Sequence, residues 1–368
     1  AGGTAWGLLL AFMMATALLS MFISNTSTAL IMMPIALAVL NAAGDGRADG
    51  ADSAGGADGA GGMAGALVMG IAFAASIGGL GTLVGSPTNA IAVGLINRAL
   101  GVQIGFATWA AYGVPVVLAG VPLAMAVLIH TQKLPRNGFD VARARTAIGH
   151  AGRWSVAEKR LVPVFVAVFV AWVAQPWVEA WVPKGAFSDG TVAVAGAMAL
   201  FIIPDGTGRP LLNWAEANAA PWGVILMFGG GLALAAAITQ SGLAAWLGDA
   251  LVPLRGVHPV LVALALVALV VIITEFASNV ATASGVMPVV AALIGATGVD
   301  PLTLAMPAAM AASWGFMLPS SSGPNAIGWA SGRIALPRLL RAGFWLDVAG
   351  IPLIVALCWA VSTILPRG

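Results

Sequence analysis

The sequence predicts an all-α polytopic membrane protein, and three observations carry that prediction. Of the 368 residues, 60% are hydrophobic and 8% are charged, whereas soluble domains carry about 25% charged residues. Several apolar segments reach the roughly 20 residues that a helix needs to cross the hydrocarbon core. Ala, Gly, Leu and Met dominate these segments without sustained alternation of apolar and polar residues, so the pattern does not favour strands.

Charge and cysteine content exclude several other classes of protein. The 16 Lys and Arg residues barely exceed the 14 Asp and Glu residues. They lie mainly in loops, so they indicate membrane topology and not nucleic-acid binding. The single Cys358 excludes a disulfide framework and a cysteine metal site. The three histidines, His130, His150 and His258, lie far apart, and nothing in the sequence indicates an organic cofactor.

The first half of the chain, residues 1–130, is predicted to begin with a re-entrant hairpin at 4–42. Its second arm is short and follows a polar break, which is typical of a return arm and not of a full span. A Gly/Ala/Asp-rich linker at 43–62 is expected to be solvated and disordered. A broken helix at 63–100 and a span at 108–130 complete this half.

The second half follows a basic loop at 131–160. This loop holds seven Lys or Arg residues against two acidic residues, so the positive-inside rule predicts that it is cytoplasmic. Residues 161–368 are expected to contain scaffold spans at 161–204, a span at 222–240, a second hairpin at 259–295, a broken helix at 302–332 and a last span at 342–365.

The predicted topology gives the two hairpins opposite orientations. If the first hairpin enters from the cytoplasm, five predicted spans separate it from the second hairpin, and an odd number reverses the direction of entry. The same count places Arg333, Arg338 and Arg341 on the cytoplasmic side with the basic loop. We expect an integral protein of a bacterial inner membrane.

Two motifs recur in the same order in both halves. FISNTSTALIMMPI (22–35) matches FASNVATASGVMPV (276–289) at one offset of 254 residues, and each holds a Ser-Asn pair and a Met-Pro pair. ASIGGLGTLVGSPTNAI (75–91) resembles ASWGFMLPSSSGPNAI (312–327) with one residue deleted. Oppositely oriented repeats with interrupted helices indicate the midplane binding site of a secondary transporter.

The residue types in these motifs suit a small cation and an anion. A Gly/Pro/Ser/Asn break at membrane depth persists only where it lines a polar cavity. GSPTN (85–89) and SSSGPN (320–325) offer neutral oxygen ligands for Na⁺. The helix that begins after Ser24 and Asn25 points its positive N-terminal end at the hairpin tip, which suits an anion. Glu275 is the carboxylate beside the second motif, where carrying a proton and capping the backbone are both open roles.

Other hypotheses remain beside transport. Ser, Thr and Gly in membrane helices often serve only in packing, although two matched pairs of motifs favour a binding site. An intramembrane serine hydrolase would need a base near one of the serines, and the motifs contain no His, Lys or Asp in register. A channel is a third alternative, but closed hairpin tips favour occlusion over an open pore.

At these motifs the chain resembles the divalent-anion:sodium symporter family, the INDY-type transporters of dicarboxylates and citrate. The likeness covers nearly the whole chain and rests on SNTSTALIMMPI, GSPTNAI, LMFGGGLAL, SNVATASGVMPV and FMLPSSSGPNAI. The resemblance implies a transporter and not an enzyme. It also implies a homodimer in the lipid bilayer, in which a scaffold domain supports an elevator-like transport domain built from the two hairpins.

The resemblance also implies which residues bind the ligands. A carboxylate substrate would be held by Ser24, Asn25, Thr26, Ser278, Asn279, Val280, Ser86, Pro87, Ser322 and Gly323. One Na⁺ site would comprise Ser24, Asn25, Gly85 and Asn89. The second Na⁺ site would comprise Ser278, Asn279, Ser321 and Asn325.

The chain departs from the family pattern at three places. Val280 replaces a Thr in the second hairpin motif, and SSSGPN replaces a TPPN-like break. The family's further N-terminal scaffold helices are expected to be missing here. The expected function is Na⁺-coupled symport of succinate, malate, fumarate or citrate. Carboxylate exchange without Na⁺ and sulfate transport stay as alternatives on the same fold.

Overall fold

The computed structural model describes residues 4–42, 60–134, 154–178, 181–183, 185–220, 222–243, 246, 249–250 and 252–364. Within these ranges the regular structure is helical, apart from one isolated bridge between Pro204 and Pro210. The prediction of an all-α protein is therefore confirmed.

The helices follow the order of the apolar segments. Their bounds are α1 (Ala5–Ser20), α2 (Asn25–Ala42), α3 (Ala60–Gly78), α4 (Pro87–Leu100), α5 (Phe106–Thr131), α6 (Val156–Val178), α7 (Asp189–Ile202), α8 (Trp214–Asn218), α9 (Gly223–Gln240), α10 (Pro259–Phe276), α11 (Asn279–Thr297), α12 (Pro301–Ala311), α13 (Gly323–Ala330) and α14 (Leu336–Ile364). A short 3₁₀ helix, Val252–Gly256, precedes α10.

Membrane-spanning character is evident in the described helices. Four of them, α5, α10, α11 and α14, are long and apolar enough to cross a bilayer. Large apolar side chains on these helices are exposed, including Leu118 on α5 and Leu269 on α10. A face of this kind suits contact with lipid chains. Length and surface together support a polytopic membrane protein.

Two helical hairpins and two helix breaks lie where the polar motifs are. Residues 21–24 join α1 to α2, and residues 277–278 join α10 to α11. The chain leaves helical structure between α3 and α4 at 79–86 and between α12 and α13 at 312–322. Pro87 lies in the first turn of α4, where a missing N–H costs no hydrogen bond. Each break therefore restarts as a helix at the polar motif.

Parts of the predicted loops lie outside the described residues. These are residues 43–59 of the linker and residues 135–153 of the basic loop. The first helix after the linker, α3, begins at Ala60, within the segment predicted as linker.

The first of two compact units contains both hairpins and both breaks. It comprises the described residues of Ala1–Gln103, Ala111–Gly149 and Met227–Gly368. Within it α2 packs against α13, and α11 packs against α4. The second arm of each hairpin therefore contacts the helix that restarts after the break in the other half.

The second compact unit comprises the described residues of Ile104–Ala110 and His150–Leu226, with α6 packed against α7. The Phe106 ring stacks on Trp172 at a centroid distance of 4.8 Å. In the loop after α7, Arg209 forms ion pairs with Asp205 at 2.9 Å and with Glu216 at 2.8 Å. Hydrogen bonds from Thr207, its backbone N–H first, lower the pKa of Asp205 to about 2. This loop is therefore charged at neutral pH.

Candidate functional site

The tip of the first hairpin is bonded to the first helix break by buried polar groups. Ser20 Oγ donates to the carbonyl oxygen of Ala75 at 2.6 Å and lies 3.0 Å from the side-chain amide of Asn25. The Asn25 side-chain amide is oriented with its nitrogen toward the carbonyl oxygens of Ala75 and Gly85, because it can then donate to each of them at 3.2 Å. The Thr82 hydroxyl donates to the carbonyl oxygen of Met21.

Asn89 ties the two ends of the first break together. Its Nδ2 donates to the carbonyl oxygens of Gly79 at 2.7 Å and Thr82 at 2.9 Å. Asn89 is fully buried, and its Oδ1 has no hydrogen-bond partner in the described part of the chain. A buried amide oxygen without a donor is costly unless a cation or water occupies its lone pairs.

Two glycines make the first break narrow enough for these contacts. A Cβ at Gly79 would collide with the side-chain amide of Asn25. A Cβ at Gly85 would lie 2.6 Å from the carbonyl oxygen of Gly79 and 2.9 Å from that of Ser20. Side chains at these two positions would push apart the carbonyl oxygens that the break brings together.

The second half repeats the bonding at matched positions. Thr274 Oγ1 lies 2.7 Å from the carbonyl oxygen of Ala312 and 3.0 Å from the side-chain amide of Asn279. Asn325 Nδ2 donates to the carbonyl oxygen of Leu318 and to Ser321 Oγ, each at 3.2 Å. Asn325 is 1% exposed, and its Oδ1 also has no partner among the described residues.

Glu275 marks the main chemical difference between the two halves. Its Oε1 accepts the backbone N–H of Met317 at 2.9 Å, and its Oε2 accepts that of Leu318 at 2.8 Å. At the matched position the first half has Met21, which takes part through its backbone carbonyl. The second break is therefore held by a carboxylate, and the first by a hydroxyl.

Serine hydroxyls cap the four helices that begin at the motifs. Ser24 Oγ accepts the Ser27 N–H, and Ser278 Oγ accepts the Ala281 N–H. After the breaks, Ser86 caps α4 and Ser322 caps α13 in the same way. Each cap leaves other N–H groups of the first turn pointing outward with partial positive charge.

The two halves meet where the first hairpin tip reaches the second break. A Cβ at Gly323 would collide with Thr26 Oγ1, so the Thr26 hydroxyl lies directly over the backbone of Gly323. Thr26, Gly323 and Ser278 are exposed, whereas Asn89 and Asn325 are buried. The predicted substrate residues thus include open positions, and each predicted Na⁺ site includes a buried amide with a free oxygen.

The geometry places most predicted site residues in these clusters. Asn25, Gly85 and Asn89 lie together in the first half, and Asn325 lies with Ser321 in the second. Ser24 Oγ lies 2.8 Å from Ser27 Oγ and serves its own helix start. Val280 is half-buried at the position matched to Thr26.

Sequence reasoning missed Ser20, Thr82 and Thr274. Ser20 and Thr274 carry the hydroxyls that join each hairpin to its break, one turn before the Ser-Asn pair. They lie at the same offset of 254 residues as the recognised motif. Extending the repeat two residues toward the N-terminus would have found both.

The clusters contain neutral oxygens and few charges. No group of three or more His, Cys, Asp or Glu residues that could hold a metal ion occurs in the described ranges. An alkali cation here would depend on carbonyl, amide and hydroxyl oxygens, which are the hard ligands that hard cations prefer.

Comparison with known proteins adds independent findings. Residues 2–365 match the family described as the sodium:sulfate symporter transmembrane region. A sodium-dependent dicarboxylate transporter, SdcS, of Staphylococcus saprophyticus is 37% identical over 368 residues, covering 96% of this chain and 69% of the relative. SdcS of Staphylococcus aureus strain USA300 is 36% identical over 372 residues, covering 99% of this chain and 70% of the relative.

Proposed function

This chain belongs to the sodium:sulfate symporter transmembrane family, and we propose that it is a secondary transporter that moves C4-dicarboxylates across the membrane together with Na⁺. Relatives that are more than one third identical are named as sodium-dependent dicarboxylate transporters. The observation that carries the proposal is the pair of matched half-sites, each with a free buried amide oxygen, at Asn89 and at Asn325.

Each half-site offers a place for one Na⁺ ion. In the first, Asn89 Oδ1 is free, and the carbonyl oxygens of Ala75 and Gly85 each lie 3.2 Å from the Asn25 amide. In the second, Asn325 Oδ1 is free beside Ser321. We assign Ser24, Asn25, Gly85 and Asn89 to the first ion and Ser278, Asn279, Ser321 and Asn325 to the second.

The dicarboxylate belongs between the hairpin tips, at the exposed edge of the half-sites. Helix N-termini and hydroxyls there favour negative charge. The close approach of Thr26 to Gly323 supports a site that both halves build. Thr26 offers a hydroxyl where Val280 offers methyl groups, so the two carboxylates would be held unequally. The remaining substrate residues are Ser24, Asn25, Ser278, Asn279, Ser86, Pro87, Ser322 and Gly323.

The transport movement is proposed from the reciprocal packing of the two halves. Each hairpin's second arm packs on the helix after the other break, which supports an inverted repeat that moves as one body. We propose an elevator movement against a scaffold, a homodimeric assembly, and a cytoplasmic position for the basic loop.

A serine hydrolase is disfavoured by the bonding of Glu275. Both oxygens of this carboxylate accept backbone N–H groups. A catalytic base must lie within hydrogen-bond reach of the serine hydroxyl, and in the described part of the chain no serine hydroxyl is hydrogen-bonded to Glu275. The carboxylate beside the second motif is instead part of the backbone scaffold, which supports transport over hydrolysis.

Uptake of labelled succinate into proteoliposomes tests the proposal. An inward Na⁺ gradient should drive accumulation, and replacing Na⁺ with K⁺ should abolish it. Excess sulfate should compete weakly, since the family description names sulfate but the relatives are named for dicarboxylates. Asn41→Ala, an exposed change on α2 away from both half-sites, is the matched control. Equal uptake in Na⁺ and K⁺ would refute Na⁺ coupling.

A further inference from the structure

A second buried carboxyl lies beside Glu275, and the proposed transport cycle does not use it. Asp347 on α14 is 4% exposed, as is Glu275 on α10. The Asp347 carboxyl faces that of Glu275 and the backbone of Phe316. Acidic side chains inside a membrane protein are costly and usually have a role.

The packing of α14 encloses this pair against the second helix break. A Cβ at Gly343 would collide with the backbone of Phe316 and Met317, so α14 lies directly on the 312–322 segment. One turn further, Trp314 Nε1 donates to the carbonyl oxygen of Leu346 at 3.3 Å. The two carboxyls are thus held between α10, α14 and the break.

Hydrogen bonding distinguishes the two acids. Each Glu275 oxygen accepts a backbone N–H, at 2.9 Å from Met317 and at 2.8 Å from Leu318. Both Asp347 oxygens are buried without a hydrogen bond of full geometry to the described residues, although the backbone N–H of Phe316 faces the carboxyl. An ionised carboxylate only accepts, whereas a protonated one also donates. A proton on Asp347 would therefore provide a hydrogen bond to both carboxyl groups, with Asp347 as the donor and Glu275 as the acceptor.

The surrounding elements bring no positive charge to the pair. Glu275 is the sole titratable residue of α10, and α12 and the 312–322 segment contain none. Two ionised carboxylates in contact disfavour each other's charge, and one shared proton removes the repulsion. The remaining titratable groups on α14 are Arg338 and Arg341, which are exposed, and Cys358, whose Sγ lies 3.8 Å from Met310 Sδ.

We propose that Glu275 and Asp347 form a single-proton site, in which Asp347 holds the proton and donates a hydrogen bond to Glu275. The retained negative charge of Glu275 then fixes the amides of Met317 and Leu318, and with them the break that leads to Asn325. Met21 takes the place of Glu275 in the first half, so this proton acts on one half only.

The proton links stability to pH with a definite sign. An unfolded chain releases this proton to water at neutral pH, so the folded state binds one more proton than the unfolded state. Stability of the wild type therefore falls as pH rises above the ordinary titration range of an aspartate carboxyl, until the folded pair releases its proton. Asp347→Asn keeps a donor toward Glu275 and has no proton to lose, so this decline should disappear.

Infrared spectroscopy of the purified protein tests the proposal without any transport assay. At neutral pH the wild type should show the C=O stretch of a protonated carboxylic acid. The band should be absent from Asp347→Asn and present in Asp300→Asn, since Asp300 caps α12 by accepting the Leu302 N–H. A wild type without the band, or a band that survives in Asp347→Asn, overturns the proposal.

Thermal unfolding across pH provides a second readout. Asp347→Asn should lose the decline in Tm with rising pH that the wild type and Asp300→Asn both show. An unchanged decline in Asp347→Asn contradicts the single-proton site. If Asp347→Asn does not fold, the infrared band of the wild type decides alone. The band must vanish as Tm falls with rising pH, and its absence at neutral pH refutes the site.

Discussion

The two halves of the first compact unit share one polar skeleton but hold their helix breaks by different chemistry. Ser20 and Thr274 both join a hairpin to a carbonyl in the matching break. The first break is then closed by the Thr82 hydroxyl, whereas the second is closed by the carboxylate of Glu275. The shared contacts surround the proposed Na⁺ and dicarboxylate sites, and the differing contacts change the chemical group that closes each break.

The difference shows how one repeated sequence motif can yield two unequal sites. Gly79 and Gly85 let carbonyl oxygens approach one another closely in the first half, where the neutral hydroxyl of Thr82 closes the break. The second half adds a buried negative charge, which attracts a cation more strongly at short range. We therefore expect the two Na⁺ sites to differ in affinity.

Removing the charge of Glu275 should have the largest effect. In Glu275→Gln, the one remaining side-chain oxygen can accept only one of the two backbone N–H groups. The new NH₂ group then faces the other backbone N–H, and two donors cannot form a hydrogen bond. We expect a loss of about 3 kcal/mol in the free energy of unfolding, since hydrogen bonds to charged groups contribute about 1.5–3 kcal/mol each. Chemical denaturation in detergent would measure the change.

Met21→Leu is the matched control for that change. It alters the same repeat position in the first half and conserves apolar volume, which usually costs less than about 1.5 kcal/mol. Similar losses in the two variants would show that Glu275 acts only as a packed side chain, and the comparison of the halves would fail.

Replacing the asparagines of the two breaks, Asn89 and Asn325, by alanine should have the second largest effect, and the loss of stability should differ between the halves. Asn89→Ala removes the side-chain donor from the buried carbonyls of Gly79 and Thr82, of which Thr82 keeps the backbone N–H of Gly85, and we expect a loss of about 2 kcal/mol. Asn325→Ala should cost less, because its hydrogen bonds are longer, at 3.2 Å each. In thermal unfolding without Na⁺, Asn89→Ala should have a lower Tm than Asn325→Ala, and the reverse order would contradict this account.

The narrowness of the first break can be tested with alanine. Gly85→Ala places a methyl group against two carbonyl oxygens, and overpacking of this kind costs about 1–3 kcal/mol. Gly295→Ala on α11 meets open space, so it should be neutral or slightly stabilising. Equal Tm values for the two variants would mean that the first break tolerates widening.

The smallest effect is expected from the substitution that makes the two hairpin tips chemically alike. Val280→Thr adds a hydroxyl at the position matched to Thr26, and one hydrogen bond contributes about 0.5–1.5 kcal/mol. We expect KM for succinate to fall by about 2- to 10-fold, and Thr26→Val to raise it by a similar factor. An unchanged KM in both variants would remove these two residues from the substrate site.

Much of this arrangement was predictable because the repeat places its polar residues at fixed offsets. The Ser-Asn pairs and the Pro-Asn breaks were found in the sequence because such residues are conspicuous in apolar segments. The hydroxyls of Ser20 and Thr274 were missed because a lone Ser or Thr one turn away resembles a packing residue.

The partner of Glu275 could not be predicted from the repeat. Asp347 lies in the last span, outside the paired motifs, and its approach to Glu275 depends on how α14 packs at Gly343. Tertiary packing of this kind leaves no periodic signal in one sequence. The start of α3 at Ala60 was also missed, because Gly and Ala there resemble a linker.

Equilibrium binding of radioactive Na⁺ to the purified protein tests the central claim most directly. The account predicts that the wild type binds Na⁺ in the presence of succinate and that Asn89→Ala and Asn325→Ala each lose part of this binding. Asn41→Ala should bind as the wild type does. If both break variants are folded and bind Na⁺ at the wild-type level, the matched half-sites are not the Na⁺ sites.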